Sequence, residues 1–441
     1  NRLEGADGAD LLEGRAGADS LVGGVGVDTL IGGAGADTLE GGAGNNFVLG
    51  GDGGDSILGD AGDDADLFAL LLFDGYDDYR MMFPALDPYD RGDFSMDYRF
   101  DGLRMDAVHA IPDRTFLPEL AARVRAEVEP GRHVHLVLEN EHNLASLLSD
   151  DFTAQWNDDG HNVLHTLLTD ESQGYYCDYH LDSTNKLVRF LGEGFVYQGH
   201  ENRRGESRGE PSGHLSPTAF VLFLQNHDQT GNRAFGDRLI TLAPPDALKA
   251  ATTVLLLSPM VPLLFMGEEW GAREPFLFFT SHHGELADAV RDGRRGEFAE
   301  FAEFADEHTR ERIPDPNAVE TYEASKPDFS KRDESEHAEW LGLYRHLLQL
   351  RHTEIVPRLQ GSRFLGAEAL GEAAALARWQ LGDRSELRLE LNLSGNDLAV
   401  TPPASTARLL HSSREGDAGG NDTLPARTAR MYLLDSAGVP Q

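Results

Sequence analysis

Phe100-Asp101-Gly102-Leu103-Arg104-Met105-Asp106-Ala107-Val108-His109-Ala110-Ile111 is the stretch that decides the fold. Leu103 and Met105 are apolar and alternate with Arg104 and Asp106, which is the period of a strand. Val108 and Ile111 then lead through Pro112 toward a helix. The stretch reads as a short buried strand that ends on charged side chains. An Arg two residues before an Asp shares its face of the strand, so the cation holds the carboxylate ionised and aims it. A buried structural ion pair would give the same pattern, and the downstream motifs decide between the two.

Outward from this strand, from about Asp97 on, the chain has a regular β/α pattern. Leu117, Leu120, Val124 and Val128 mark a helix at 3.6 spacing, with Pro118 in its first turn and Pro130-Gly131 as its stop. His133 to Leu138 is the next strand and ends on Glu139. Asn143 to Leu148 is helical, and Gln155 to Asp159 ends another strand. Phe220 to Leu224 is fully apolar and ends in Gln225-Asn226-His227-Asp228. A helix over Pro245 to Leu257 follows, then a strand from Val261 to Met266 that ends in Gly267-Glu268-Glu269-Trp270. Polar residues gather at the carboxyl ends of these strands, where β/α barrels keep their sites.

Asp106, Glu139 and Asp228 each end a predicted strand. Two carboxyls about 5–5.5 Å apart are what a retaining glycosidase needs, one as nucleophile and one as acid/base. Glu139 follows an apolar strand, so desolvation should raise its pKa and keep it protonated, as an acid requires. Glu141, two residues on, is a rival for that role.

These motifs resemble the α-amylase clan (glycoside hydrolase family 13) and, within it, the malto-oligosyltrehalose trehalohydrolases. Phe100 to Ile111 is similar to the clan's fourth barrel strand, Leu136-Val137-Leu138-Glu139-Asn140 to its fifth and Gln225 to Ala234 to its seventh. Phe265 to Ala272 and Trp156-Asn157-Asp158-Asp159-Gly160-His161-Asn162 resemble trehalohydrolase stretches, with Gly160 and Asn162 as departures. The resemblance implies Asp106 as nucleophile, Glu139 rather than Glu141 as acid/base, and Asp228 as transition-state stabiliser. It further implies Arg104 as charge partner of Asp106, with His109, Asn226, His227 and Asp158 as sugar contacts. The implied reaction is release of trehalose from maltooligosyl trehalose with retention and without a cofactor, on that sugar or a related α-glucan.

Strands one to three of the clan's barrel, and the first conserved motif after the third, have no counterpart here. In their place residues 1–66 repeat with a nine-residue period: Asp10, Asp19, Asp28, Asp37, Asn46, Asp55 and Asp64 fall in register. Leu12, Leu21, Leu30, Leu39, Val48 and Ile57 follow two residues after the first six. The unit Gly-Gly-x-Gly-x-Asp-x-Leu-x resembles the repeats-in-toxin nonapeptide, a parallel β-roll loaded with Ca²⁺. Glycines permit its tight turns, carboxylates and turn carbonyls are hard ligands for Ca²⁺, and the leucines stack into a thin core. Without metal, repulsion among the carboxylates should leave the segment unfolded.

The expected architecture is therefore multidomain: a β-roll (1–66), a junction without a motif (67–96), an incomplete β/α barrel of TIM type (97–362) and an antiparallel β domain (363–441). The last rests on the period-two pattern of Leu387, Leu389, Leu391 and Leu393. Asn392-Leu393-Ser394 matches a glycosylation sequon inside that strand and is read as chance. An open barrel keeps its catalytic carboxylates but loses pocket geometry, so little or no hydrolase activity is expected of the chain as written. The rivals are a calcium-binding repeat protein carrying an inactive hydrolase fragment, and another α-amylase-clan activity.

The formal net charge of −37 disfavours nucleic acid as a partner. The single cysteine, Cys177, excludes an internal disulfide, and no apolar run reaches the ~20 residues of a membrane span. No signal peptide is visible at Asn1. The hydrolase resemblance points to the cytoplasm and the calcium repeats to the exterior, and both stay open.

Overall fold

The computed structural model describes residues 2–58 apart from 7, 9, 26–27, 35–37, 44–46 and 53–55, and residues 101–434 apart from 114, 129–130, 150, 302–303 and 305. The junction at 67–96 lies outside the described residues. The chain divides into two units, Asn1–Glu141 with Asp150–Ala154, and His142–Ser149 with Gln155–Gln441.

The first unit opens with the repeats. Strands β1 (Arg2–Glu4), β3 (Ser20–Val25), β5 (Thr38–Ala43) and β7 (Ser56–Leu58) form one parallel sheet, and β2 (Leu11–Ala16), β4 (Thr29–Ala34) and β6 (Phe47–Asp52) form another. Arg2 pairs with Ser20, Ser20 with Thr38 and Thr38 with Ser56. Leu11 likewise pairs with Thr29, and Thr29 with Phe47. Two nonapeptides therefore make one coil, and successive units alternate between the sheets. Leu21, Leu30 and Leu39 are fully buried between them, with Leu3 and Leu12 packed alongside. So thin a core is small beside the entropy of ordering the backbone.

The same unit holds a βαβ element. β8 (Gly102–Met105) and β9 (His135–Leu138) are parallel, with Gly102 opposite His135 and Met105 opposite Leu138. Helix α1 (Phe116–Glu127) crosses between them and buries Phe116, Leu117, Leu120, Ala121 and Val124. All four residues of β8 are buried, the state of a strand covered on both faces. The Thr153 amide adds a bond to the Leu136 carbonyl at 2.8 Å.

In the second unit β10 (Ala154–Trp156), β11 (Phe220–Leu222) and β12 (Val261–Pro262) run parallel, with Trp156 opposite Val221 and Val221 opposite Val261. The first strand is shorter than the sequence suggests. It stops at Trp156 because the Asn157 side chain accepts from the Gly160 amide and caps helix α2 (Asp158–Thr169). Asp158 and Asp159 thus open a helix rather than close a strand. The strand predicted over 261–266 is likewise confined to Val261–Pro262. Helices α3 (Ser183–Glu193), α4 (Pro245–Leu257) and α5 (Ser335–Leu350) are among the other helices of this part. α4 is apolar on all sides and buries ten of its residues. Among the described residues no helix is long and apolar enough to cross a membrane.

The C-terminal part is an antiparallel sheet of β13 (Arg363–Gly371), β14 (Ala374–Gln380), β15 (Glu386–Asn392), β16 (Arg408–Ser412) and β17 (Thr428–Leu434), in the order β13-β14-β15-β17-β16. Leu387, Leu389 and Leu391 are buried as the period-two pattern implies. The opposite face is covered as well: Glu390 and Arg430 are fully buried, and Arg430 pairs with Asp417 at 2.6 Å. Asn392 is also fully buried and donates to the carbonyls of Asn396 and Pro425.

Candidate active site

In the first unit the Arg104 side chain is fully buried, and its guanidinium contacts both the Asp106 carboxylate and Glu139 Oε2, the latter at 2.8 Å. β8 and β9 place the two carboxyls at neighbouring strand ends. The backbone locks that register, since the Glu139 amide donates to the Met105 carbonyl at 2.9 Å and the Val108 amide to the Glu139 carbonyl at 3.1 Å. Ala107 turns the chain out of the strand in a left-handed conformation, φ 43° and ψ 38°, and its amide donates to Glu139 Oε2 at 2.8 Å.

Burial raises the Asp106 carboxyl above its ordinary pKa; Arg104 opposes this, while a hydrogen bond from and the charge of Glu139 reinforce it. Two carboxyls in such contact favour sharing one proton. Glu141 faces away from this pair: it lies 3.8 Å from His109 Nε2 with a side chain 65% exposed, against 19% for Glu139. His109 is thus beside Glu141, and its Nδ1 accepts from the Glu141 amide.

The second unit gathers a separate set. The Asn226 side chain accepts from the Gln229 amide at 2.7 Å and caps a helical turn, His227–Gly231. His227 Nε2 lies 3.3 Å from Asp228 Oδ2, and Trp156 meets the His227 ring edge-on at 6.0 Å. The Gln229 amide group donates to Asp158 Oδ1 at 3.1 Å and brings that carboxylate to the same turn. Both His227 and Asp228 remain about one-third exposed, open to a solute.

Sequence reading passed over three acidic residues. Asp159 is fully buried and receives Asn143 Nδ2, Tyr179 Oη, the amides of Val196 and Tyr197, and Arg208. Glu171 takes both arms of Arg233 at 2.8 Å and His165 Nε2 at 2.8 Å. Burial pushes the Glu171 carboxyl up, but the Arg233 and His165 bonds outweigh it and bring the pKa to about 2. Glu268, after β12, is the third. The adjacent Asp158-Asp159 pair was the one available signal, and the Asn157 cap decides which of the two turns inward.

The repeats have the donors for a hard cation. A Cβ at Gly5 would overlap the Gly23 carbonyl oxygen and sit 2.8 Å from Asp10 Oδ2; one at Gly14 would overlap the Gly32 carbonyl and sit 2.9 Å from Asp19 Oδ2. Carboxylate and carbonyl oxygens therefore converge where only glycine fits, which suits Ca²⁺. The Asp28 carboxylate is buried and accepts from the Asp10 amide one coil away. Among the described residues no three acidic, His or Cys side chains form a cluster that could hold a metal ion. Asp37, Asn46, Asp55 and Asp64 lie outside the described residues.

Residues 1–30 and 31–65 match the RTX calcium-binding nonapeptide repeat, and residues 362–430 match a domain of unknown function, DUF3459. A malto-oligosyltrehalose trehalohydrolase of Rhizobium sp. (strain M-11) is 38% identical over 328 residues, covering 71% of this chain and 53% of its own length. The protein of the same name from Deinococcus radiodurans is 39% identical over 268 residues, covering 59% and 43%. The chain spans about half the length of the curated relatives it matches. The crystal structure of a candidate α-amylase from Salmonella typhimurium aligns with a TM-score of 0.72 and 36% identity, covering 92% of this chain and 68% of that one. The chain belongs to the α-amylase family of glycoside hydrolases, family 13, with malto-oligosyltrehalose trehalohydrolases among its relatives and calcium-binding repeats of RTX type at its N-terminus.

Proposed function

We propose that the catalytic part is built to release trehalose from maltooligosyl trehalose with retention of configuration. The observation that carries this reading is the Arg104 guanidinium held against both Asp106 and Glu139. Carboxyls this close leave no room for the water that an inverting pair, about 6.5–9.5 Å apart, must hold between them. Asp106 attacks the anomeric carbon while Glu139 protonates the leaving glycosidic oxygen. Glu139 then takes a proton from water, which releases the sugar from Asp106. Arg104 favours the ionised nucleophile, and Asp228 with Asn226, His227, His109 and Asp158 serves the sugar hydroxyls. The relatives' name supports trehalose as the product; the substrate class is an α-glucan.

After the repeats, five short parallel strands are found among the described residues, β8 and β9 in the first unit and β10 to β12 mainly in the second. We propose on this basis a barrel without its first three strands, and a turnover well below that of a protein in which a relative's strands are added. Incubating the chain with maltooligosyl trehalose and following the anomeric proton by NMR tests the whole reading. Trehalose released beside an α-configured sugar supports it; maltose or maltotriose as the main product points to another activity of the clan.

A second reading is a calcium-binding repeat protein whose hydrolase part is inactive. The match of residues 1–30 and 31–65 to the RTX calcium-binding nonapeptide is what supports it. In either case we propose that Ca²⁺ is held by Asp10, Asp19, Asp28, Asp37, Asn46, Asp55 and Asp64 together with glycine carbonyls.

A further inference from the structure

Glu268 is buried, with only 6% of its surface exposed. Its Oε2 accepts from Gln225 Nε2 at 3.3 Å, and its Oε1 faces the Tyr344 hydroxyl at 3.5 Å. The other end of the Gln225 amide, Oε1, accepts from the Leu239 backbone at 2.9 Å. Gln225, Glu268, Trp340 and Tyr344 are among the residues lining a cavity of about 10 Å³, which is room for about one water. Gln225 immediately precedes Asn226, His227 and Asp228, so whatever fixes its side chain fixes the start of that turn.

We propose that Glu268 is a positioning residue: a buried neutral acid that acts through Gln225 to hold the Asn226-His227-Asp228 segment in its sugar-binding geometry. The proposal rests on the functional reading above for the role of that segment. A neutral carboxyl is the species that suits this place. Its Oε2 accepts from Gln225 and its Oε1 from the Tyr344 hydroxyl, and with the carboxyl proton in place no charge is left in an apolar shell.

The charges around it agree. Burial pushes the Glu268 pKa up to about 8; the Gln225 bond and Arg238 draw it down, and Glu269 pushes it up. Arg238 is occupied with the carbonyls of Met266 and Glu274, at 2.8 Å and 2.6 Å. Tyr344, on α5, is itself kept un-ionised by burial. Glu268 is therefore protonated at pH 7 and ionises above about 8. The Gln225 bond favours the ionised form, but burial outweighs it, so an ionised carboxylate draws water into the cavity and opens the packing around Gln225.

Hydrogen–deuterium exchange on the full chain, read on peptides covering 222–232 and corrected for the intrinsic pH effect, tests this. In the wild type, protection is expected to fall about tenfold between pH 7 and pH 9, as the acid ionises. Glu268→Gln keeps the hydrogen bond without the titration, so its protection should stay level over the same range. Glu268→Leu should be poorly protected at both pH values; if it does not fold, the wild type and Glu268→Gln still decide. Parallel pH behaviour of wild type and Glu268→Gln would overturn the proposal. On maltooligosyl trehalose, kcat of the wild type should fall above pH 8 with little change in KM, and Glu268→Gln should lose that limb. A limb shared by both proteins would also count against it. No trehalose release from either protein, nor from the same pair with a relative's strands added, with the exchange pattern intact, would refute the hydrolase reading and leave the Glu268–Gln225 lock standing.

Discussion

The Ala107 amide donates to Glu139 Oε2 at 2.8 Å from a left-handed backbone, φ 43°. An L-residue there bears ~1–2 kcal/mol of strain, so the bond is held against a local preference. Ala107→Gly should keep stability within ~1 kcal/mol of the wild type. Ala107→Val should destabilise by ~1–2 kcal/mol and lower any trehalose release, since a β-branched residue resists this conformation. Urea midpoints and product assays on both variants check it; equal effects would show that the conformation does not matter.

On the proposed mechanism Asp106 must ionise to attack, and its pKa is raised by burial against the pull of Arg104. The acid limb of kcat/KM should therefore lie above the ordinary carboxylate range. Removing the cation with Arg104→Met should move that limb to still higher pH, because the lowering influence is gone. Asp106→Asn should abolish turnover by several powers of ten with the fold unchanged by circular dichroism.

Five donors converge on Asp159. Asp159→Ala removes the acceptor of two buried amides, a tyrosine hydroxyl and Arg208, and should cost ~3–5 kcal/mol. Tyr179→Phe removes the 2.6 Å bond to Asp159 and the 3.1 Å bond accepted from Arg208, and should cost ~1–3 kcal/mol. Guanidinium denaturation of the two variants measures the contrast; a larger loss for Tyr179→Phe would contradict it.

Glu268 also predicts a pH dependence of stability. Its folded pKa of about 8 lies above the ordinary 4.5. The folded chain then binds a proton that the unfolded chain has released. Stability from this group is complete below pH 4.5 and declines as pH rises to about 8. Glu268→Gln lacks this decline, so its advantage over the wild type should grow over that window to a few kcal/mol, about 5 at most. Thermal unfolding at a series of pH values reads the difference directly; a constant offset would show that Glu268 is ionised throughout.

The repeats should need calcium. Asp19 and Asp28 carry carboxylates in buried positions, and the leucine core between the sheets is thin. Chelation should abolish the β signal of residues 1–66 in circular dichroism, and millimolar-range Ca²⁺ should restore it. A signal indifferent to chelator would show that calcium does not hold the roll together.

The strand ends at Asp106 and Glu139 were legible because Leu103 and Met105 alternate with charged residues at the strand period, and Glu139 closes an apolar run. The nine-residue period was legible too, but not that it is half a coil, since that depends on which strands pair. Asp159 could not be told from Asp158 by type, as the Asn157 cap sets which of them faces inward. Glu268 was hidden for a different reason: Gln225 and Tyr344 lie 43 and 76 residues away along the chain. Glu390 looked like the solvent side of an alternating strand, yet the Arg430–Asp417 pair covers it. Local pattern locates an element and its charged end; the partner of a buried charge comes from the rest of the chain.

The pairing of Arg2 with Ser20 and of Ser20 with Thr38 sets the quantum in which the repeat region can change length. Loss of eighteen residues removes one whole coil and leaves every later strand in its own sheet. Loss of nine transfers every later strand to the opposite sheet, so the chain leaves the roll from the other side. Length variants of this region should accumulate in even numbers of nonapeptides, and an odd deletion should disturb the chain beyond the roll more than a longer, even one.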